Sequence, residues 1–496
     1  MPFKFISPEE AASFIKNDNI VGFGGFTAAG APKVIPGAIA QTAENEHKNG
    51  RPFRIGVITG ASTGESLDGC LSRAEAIKFR TPYQSHKELR DDINNGKTDY
   101  FDIHLSRLAS EIRYGHMGKI NTAIVEICDY TEDGKLYITT GVGITPTLCR
   151  IADCIILELN RAQPTDLIGM HDIYEPAAPP RREAIPIFEP GSRIGSAYIK
   201  VDPEKIVGIV EHSGPDEIGK FSEPDAVTDK IGENVANFLA SEIRYGRIPK
   251  EFLPLQSGVG NIANAVLGAM GRSKEIPPFQ MYTEVMQDAV ISLMEAGRVK
   301  FGSTCSLTVS HECLKKIFDN ISFYKDKIIL RPQEISNSPE IVQRLGIISV
   351  NTAIETDIYG NVNSSNILGG KIMNGIGGSG DFTRNAYLSI FTCPSTGKSG
   401  KISTIVPMVS HLDHSEHSVK IIITEQGIAD LRAKSPRQKA EEIIEKCAHP
   451  DYKQLLWDYL KICRPGHIRH NMAKALAFHS ALQESGDMRN TDFSKK

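Results

Sequence analysis

The sequence predicts an α/β protein made of two tandem, topologically similar α/β domains. Two patterns predict it. Short apolar runs ending in glycine-rich turns alternate with helix-length amphipathic stretches along the whole chain, the mark of strands joined by crossover helices in a mostly parallel sheet. Three segments also recur in one order at nearly one offset. Asn121-Thr122-Ala123-Ile124 returns as Asn351-Thr352-Ala353-Ile354, Gly22-Phe23-Gly24-Gly25 corresponds to Gly258-Val259-Gly260-Asn261, and the run from Phe53 corresponds to the run from Phe279. A chain of 496 residues also exceeds what one hydrophobic core holds.

The elements follow in chain order. Ser7 reads as an N-cap, with Pro8 at the first helical position and Glu9 and Glu10 in the first turn. Ile20–Gly25, Phe53–Gly60, Ile120–Ile127, Cys154–Leu159 and Ile206–Val210 read as strands, with a helix over Ala31–Glu46 between the first two. Pro176–Pro190 is proline-rich and reads as an extended loop. The Gly-, Pro- and Ser-rich stretch His212–Pro224 marks the junction, giving domains 1–215 and 216–496. Phe279–Glu284, Gly346–Val350, Ile402–Val406 and Ser418–Thr424 read as strands of the second domain, followed by helices over Ala440–Cys447 and Tyr452–Ile462 and a polar, frayed last dozen residues. Leu108–Gly115 and Leu239–Gly246 are identical (LASEIRYG) and fall outside the common offset; both read as glycine-capped helix ends.

Composition narrows the function. Lys+Arg number 56 against 60 Asp+Glu, a net charge of −4, which argues against a nucleic-acid partner. No apolar run approaches the roughly 18 residues of a membrane span, and the N-terminus lacks the apolar stretch of a signal peptide. The nine cysteines are odd in number, scattered and without a C-x-x-C pair, so a soluble protein of a reducing cytosol is expected, with no disulfide framework and no zinc ribbon.

Several motifs carry candidate chemistry. Gly258-Val259-Gly260-Asn261-Ile262-Ala263 opens a helix, and Glu284 follows about 20 residues on, the spacing of a dinucleotide fingerprint. A nicotinamide, another phosphate-bearing ligand at the same helix start, and a plain strand-to-helix turn all fit this segment. Gly375-Ile376-Gly377-Gly378-Ser379-Gly380-Asp381 is a second glycine loop, ahead of the helix-like FTRNAYLSI, and its backbone can approach a ligand closely. Thr396-Gly397-Lys398-Ser399 resembles the end of a Walker A loop but lacks its first glycine, so a nucleotide triphosphatase is rejected, while Lys398 remains able to pair with an anion. His411, His414 and His417 match no zinc spacing and read as part of a polar loop rather than a metal site. Glu284 ends a strand where α/β folds bind ligands, and suits a ribose ligand, an ion pair or a nucleophile.

The ordered motifs GFGGF at Gly22, NTAIVE at Asn121, LPLQSGVGN at Leu253, YTEVMQD at Tyr282, LRPQEISN at Leu330, IGGSGDF at Ile376, VPMVSHLDHSEH at Val406 and TEQGIADLR at Thr424 cover nearly the whole chain. In them the chain resembles the acetyl-CoA hydrolase/transferase family within the class I CoA-transferases, most of all its succinyl-CoA:acetate members. The resemblance implies two tandem α/β domains of the class I CoA-transferase type. It makes Glu284 the catalytic glutamate that becomes a glutamyl-CoA thioester, with Asn337 and the N–H of Gly378 as oxyanion donors. Val259, Gly260, Asn261, Ile262, Ala263, Asn374, Gly378 and Lys398 match positions that contact coenzyme A, and Glu425 matches a further active-site position counted with them. It also implies a cytoplasmic homodimer, coenzyme A as substrate rather than cofactor, no metal and idle cysteines. An acyl-CoA hydrolase and a different short-chain acyl-CoA:acetate transferase stay open beside the leading reading. A non-catalytic coenzyme A-binding protein and an NAD-dependent oxidoreductase built on the Gly258 fingerprint stand further off.

Overall fold

The computed structural model describes residues 3–219 and 224–494. Two compact units share the chain. One comprises Met1–Lys220, Gln280–Leu345 and Asn374–Asp381, the other Phe221–Phe279, Gly346–Met373 and Phe382–Lys496. The sequence divides once, between 215 and 216; compactness divides the chain again inside its second half. Of the expected junction, residues 220–223 lie outside the described residues.

In the first unit nine strands form one sheet: β1 (Ile20–Phe23), β2 (Ile55–Ile58), β3 (Ile77–Thr81), β4 (Asp99–Tyr100), β5 (Thr122–Tyr130), β6 (Lys135–Ile138), β7 (Cys154–Asn160), β8 (Ile199–Lys200) and β9 (Ile206–His212). Parallel pairing runs β4-β3-β2-β1 to one side and β5, β7, β9 to the other. β6 and β8 extend it antiparallel. The central strands are buried along nearly their whole length, which is why they read as continuous apolar runs rather than alternating ones. Helices Pro8–Ser13 and Ile35–Lys48 contribute Ala11, Ala12, Ile35 and Ile39 to the core beneath Val21, Val57, Ile124 and Ile156. Ser7 caps the first of these by accepting the Glu10 N–H, as its sequence announces.

Chain order reverses between β1 and β5, the place where open α/β sheets bind or brace. Here a buried charge network does the bracing. Glu158 on β7 accepts the N–H groups of Lys33 (2.7 Å), Val34 (3.1 Å) and Ile35 (2.7 Å), and so caps the helix Ile35–Lys48, which has no side-chain cap of its own. The Lys33 ammonium lies on Glu126 and, at 3.0 Å, on Asp216. Burial alone would favour loss of its proton, but these two carboxylates outweigh that and hold it charged. His212, at the end of β9, reaches Glu158 at 3.3 Å.

The second series of strands has the same topology. Ile328–Leu330, Val299–Thr304 and Phe279–Tyr282 stand in descending chain order, as β4, β3 and β2 do. In the second unit Leu255–Ser257, Ile348–Thr352, Leu388–Thr392 and Ile421–Ile423 pair parallel in ascending order, as β1, β5, β7 and β9 do. The Asn-Thr-Ala-Ile anchor is nevertheless out of step: Asn121 precedes β5, whereas Asn351 lies near the end of its strand. The repeat is one of topology, not of that tetrapeptide. The identical octapeptides end two helices, Leu105–Arg113 and Ala226–Arg244, in the same way. Gly115 and Gly246 take φ of +81° and +69°, and the N–H of the following residue returns to the carbonyls of Glu111 and Glu242.

Three expectations are corrected. The run Ile402–Val406 splits into Ile402–Ser403, paired with Thr396–Gly397, and Ile405–Val406, paired with Glu355–Asp357, because the two pieces join different hairpins. The helix-like FTRNAYLSI holds only the end of Ser379–Asn385 and then a strand, Leu388–Thr392. The tail is not frayed through its described residues: Met488 is buried, its N–H donates to the Lys401 carbonyl, and Phe493 packs on the second unit's core of Tyr452, Tyr459 and Phe478. Its polar composition hid these two anchoring residues. Among the described residues no helix is long and apolar enough to cross a membrane.

Removing the Glu158 carboxylate would leave Lys33, Val34 and Ile35 N–H groups buried and unbonded. Glu158→Ala should therefore lower unfolding free energy by about 3–5 kcal/mol, read as an earlier urea transition of the first unit. An unchanged transition would remove Glu158 from the structural core.

Candidate active site

Glu284 follows the strand Phe279–Tyr282 and precedes the short strand Val285–Met286. Its backbone is pinned: the carbonyl accepts the Cys305 N–H at 3.0 Å and the Thr304 hydroxyl at 3.0 Å, and the N–H of Thr283 reaches the Ser303 carbonyl. The same strand holds the next element, since the Tyr282 hydroxyl donates to the Ile335 carbonyl in the helix Gln333–Ser336. That helix ends at Asn337, fully buried, whose Nδ2 donates to Glu284 Oε2 at 2.6 Å while its Oδ1 accepts the Ser336 hydroxyl at 2.8 Å.

The glycine loop completes the arrangement. A Cβ placed on Gly378 would fall 1.8 Å from Glu284 Oε2 and 2.3 Å from Asn337 Nδ2. Gly378 is not among the glycines with positive φ, whereas Gly375 and Gly377 are. The glycine at 378 answers a close approach and not a turn. The loop is held by residues far away in sequence. The Tyr100 hydroxyl donates to the Asn374 carbonyl at 2.6 Å, the Ile376 N–H donates to Asp102 at 2.7 Å, and Asp381 accepts the N–H of Ser106 at 2.9 Å together with its hydroxyl. Tyr83 also bonds the Asn374 side chain.

Burial dominates the electrostatics. It pushes the Glu284 carboxyl up to about 7; the Asn337 donor opposes this and the charge of Asp381 adds to it. Burial likewise pushes Asp381 up to about 7. Cys305 lies against Glu284 and is fully buried, which raises its thiol well above the usual range and keeps it neutral.

The structure thus brings Glu284, Asn337 and Gly378 together within the first unit, with Asn374 at the start of the same loop. The other expected residues lie in the second unit. Val259 is exposed and Gly260, at φ +109°, precedes the helix Asn261–Arg272, in which Asn261 and Ile262 are half-buried and Ala263 is buried. Lys398, at φ +46°, sits in the hairpin turn between Thr396–Gly397 and Ile402–Ser403. Glu425 accepts the N–H of Ser395 at 2.8 Å and its hydroxyl. The His411–His417 segment is a loop in which His411 lies 3.4 Å from Asp413 and His414 meets the Ser364 hydroxyl at 3.3 Å. Sequence reasoning missed Tyr83, Tyr100, Asp102 and Ser106, which hold the glycine loop. No motif links them to it, because more than half the chain lies between.

Comparison with known proteins places these features in context. The acetyl-CoA hydrolase/transferase N-terminal domain matches residues 2–211, and the C-terminal domain of the same name matches residues 314–460. The chain is 48% identical to the propanoyl-CoA:succinate CoA transferase of Escherichia coli K12 over 97% of its length and 98% of that protein. It is 46% identical to the succinyl-CoA:acetate CoA-transferase of Clostridium kluyveri, over 98% and 90%, and 41% identical to the acetyl-CoA hydrolase of Schizosaccharomyces pombe, over 97% and 95%. Among solved structures, RipA of Yersinia pestis shares the fold with a TM-score of 0.72 at 22% identity, covering 92% of this chain and 97% of that one. A 4-hydroxybutyrate CoA-transferase of Porphyromonas gingivalis shares it at 0.63 and 20%, covering 92% and 97%.

The raised Glu284 carboxyl has a thermodynamic signature. Its neutral form favours the fold, a contribution complete below the ordinary 4.5 and lost as the pH rises through about 7. Glu284→Gln, neutral at every pH, should melt above the wild type at pH 8 and lose that margin by pH 5. The same margin at both pH values would contradict a carboxyl held in so unfavourable a place.

Proposed function

The chain belongs to the acetyl-CoA hydrolase/transferase family, and from that premise we propose that it transfers coenzyme A from succinyl-CoA to acetate, reversibly, through a glutamyl-CoA thioester on Glu284. The observation that carries this reading is the carboxylate of Glu284 set against the Asn337 amide and the bare main chain of Gly378.

A carboxylate taken out of water is a stronger nucleophile than a solvated one. Ionised Glu284 attacks the acyl carbonyl carbon of succinyl-CoA, and the oxyanion that forms is met by the Asn337 Nδ2–H and the Gly378 N–H; one such donor contributes about 3–4 kcal/mol. The C–S bond breaks, coenzyme A leaves as thiolate, and a mixed anhydride remains on Glu284. Thiols ionise near pH ~8.5, so the thiolate is a good leaving group. It then attacks the glutamyl carbonyl carbon and expels succinate, leaving the glutamyl thioester. Acetate attacks that thioester, the thiolate returns to the acetyl carbonyl, and acetyl-CoA departs with Glu284 restored. In the second unit, the helix start at Gly260–Ala263 is the segment proposed to meet anionic groups of the coenzyme, with Lys398 as a further cation.

A second reading, acyl-CoA hydrolysis, is favoured by the 41% identity to a fungal acetyl-CoA hydrolase. There water replaces acetate as the acceptor of the glutamyl intermediate. Acetate separates the two: it should accelerate loss of succinyl-CoA and appear as acetyl-CoA if the enzyme is a transferase, and should do neither if it is a hydrolase.

The nucleophile is tested directly. Mixing enzyme with acetyl-CoA should leave coenzyme A attached to the peptide containing Glu284, and Glu284→Ala should stay folded and lose at least three orders of magnitude in turnover. Near-normal turnover in that variant would end the mechanism. Gly378→Ala is expected to lower the single-turnover rate by roughly ten- to a thousand-fold with a modest change in melting temperature, because its methyl group displaces Glu284 and Asn337. A destabilised variant with an intact rate would take Gly378 out of the chemistry.

A further inference from the structure

The Asn337 side chain has two ends that differ chemically but not in shape, and only its Nδ2 end can serve an oxyanion. Something must prevent the amide from turning over. Ser336 cannot do so: its hydroxyl donates to Oδ1 at 2.8 Å, and a hydroxyl would equally accept from Nδ2 if the amide were reversed. Glu284 fixes the amide in the resting site, since its Oε2 accepts from Nδ2 at 2.6 Å. Once Glu284 carries an acyl group or coenzyme A, however, that charge is gone.

A second carboxylate is present. Asp381 is buried, accepts the N–H of Ser106 at 2.9 Å and the Ser106 hydroxyl, and bonds the Asn337 side chain. A carboxylate has only acceptors to offer, so an amide that faces it must present Nδ2. We propose that Asp381 is a positioning residue for acyl transfer: it holds the Asn337 amide with Nδ2 toward the reacting carbonyl through the steps in which Glu284 is no longer charged. Ser106 in turn fixes Asp381 through two bonds to one residue. The proposal rests on the reading of Glu284 as nucleophile and adds a residue that the motifs did not single out for a role.

The test is a double-mutant cycle on the full chain at pH 8, where Asp381 is ionised. The rate at which acetyl-CoA labels the enzyme with coenzyme A is followed by intact-protein mass in the wild type, Asp381→Asn, Asn337→Ala and the double variant. Asp381→Asn should slow labelling by roughly ten- to a hundred-fold while leaving the KM for acetyl-CoA within about twofold. Asn337→Ala should slow it by roughly a hundred- to a thousand-fold. The double variant should be no slower than Asn337→Ala alone, because a residue acting through Asn337 has nothing left to act on. Multiplying losses, or labelling by Asp381→Asn at the wild-type rate, would overturn the proposal. Should Asp381→Asn fail to fold, Ser106→Ala carries the same cycle: it should slow labelling by about two- to tenfold and have no effect in the Asn337→Ala background, and an equal loss in both backgrounds would overturn the proposal. A wild type that never becomes labelled is a different result, and overturns the Glu284 reading and this one together.

Discussion

A carboxylate pressed against main chain rather than water loses hydration that only a few well-placed donors can replace. Glu284 is in that position, and much of the surrounding architecture follows from it. The strand before it is held to the helix that delivers Asn337, the carbonyl of Glu284 itself is bonded twice, and the loop that delivers Gly378 is tied down by Tyr100, Asp102 and Ser106. Each tie removes a way for the carboxylate to relax into a better-solvated position. Its raised pKa and its closeness to the Asn337 amide and the bare main chain of Gly378 are thus one fact seen from two sides.

The sequence made the strands legible because they are buried on both faces, so each is a short, largely apolar block. Topological duplication was visible too, although the recurring Asn-Thr-Ala-Ile tetrapeptide is out of register between the two strands. Glu284, Asn337 and Gly378 were found through motifs; no pattern in spacing alone predicts that they meet. The reason Gly378 must be glycine was hidden as well. In sequence it is one glycine in a cluster, and only in space does its missing Cβ coincide with the position of Glu284 Oε2. The supporting residues were out of reach for a simpler reason. Tyr100, Asp102 and Ser106 sit in an ordinary strand-to-helix connection and act on a loop encoded more than half the chain later. The tail misled because composition averages over residues, while two anchored side chains, Met488 and Phe493, are enough to hold it.

The switch point of the first sheet shows how a place that often serves ligands is used here for bracing. Glu158, Glu126, Asp216, Lys33 and His212 gather there, and nearly all of their bonding capacity is spent on one another or on the start of a helix. A cation competing for these oxygens would have to displace a buried ammonium and three backbone donors. The resemblance between the two strand series therefore does not extend to their use: equal topology has been given different chemistry.

The three residues proposed for chemistry come from separate stretches of chain, Gln280–Leu345 supplying two and Asn374–Asp381 the third, yet all fall within one compact unit whose remainder is the N-terminal part of the protein. Such a chain cannot be inherited or engineered in halves. A chimaera joined near residue 215 would pair a glycine loop from one parent with the Tyr100, Asp102 and Ser106 of another, and a fragment ending there would lack every residue proposed to react while retaining only those that tie down the glycine loop. Recombination between relatives is tolerated only where the partners of that loop travel with it, so the natural unit of exchange is the whole polypeptide.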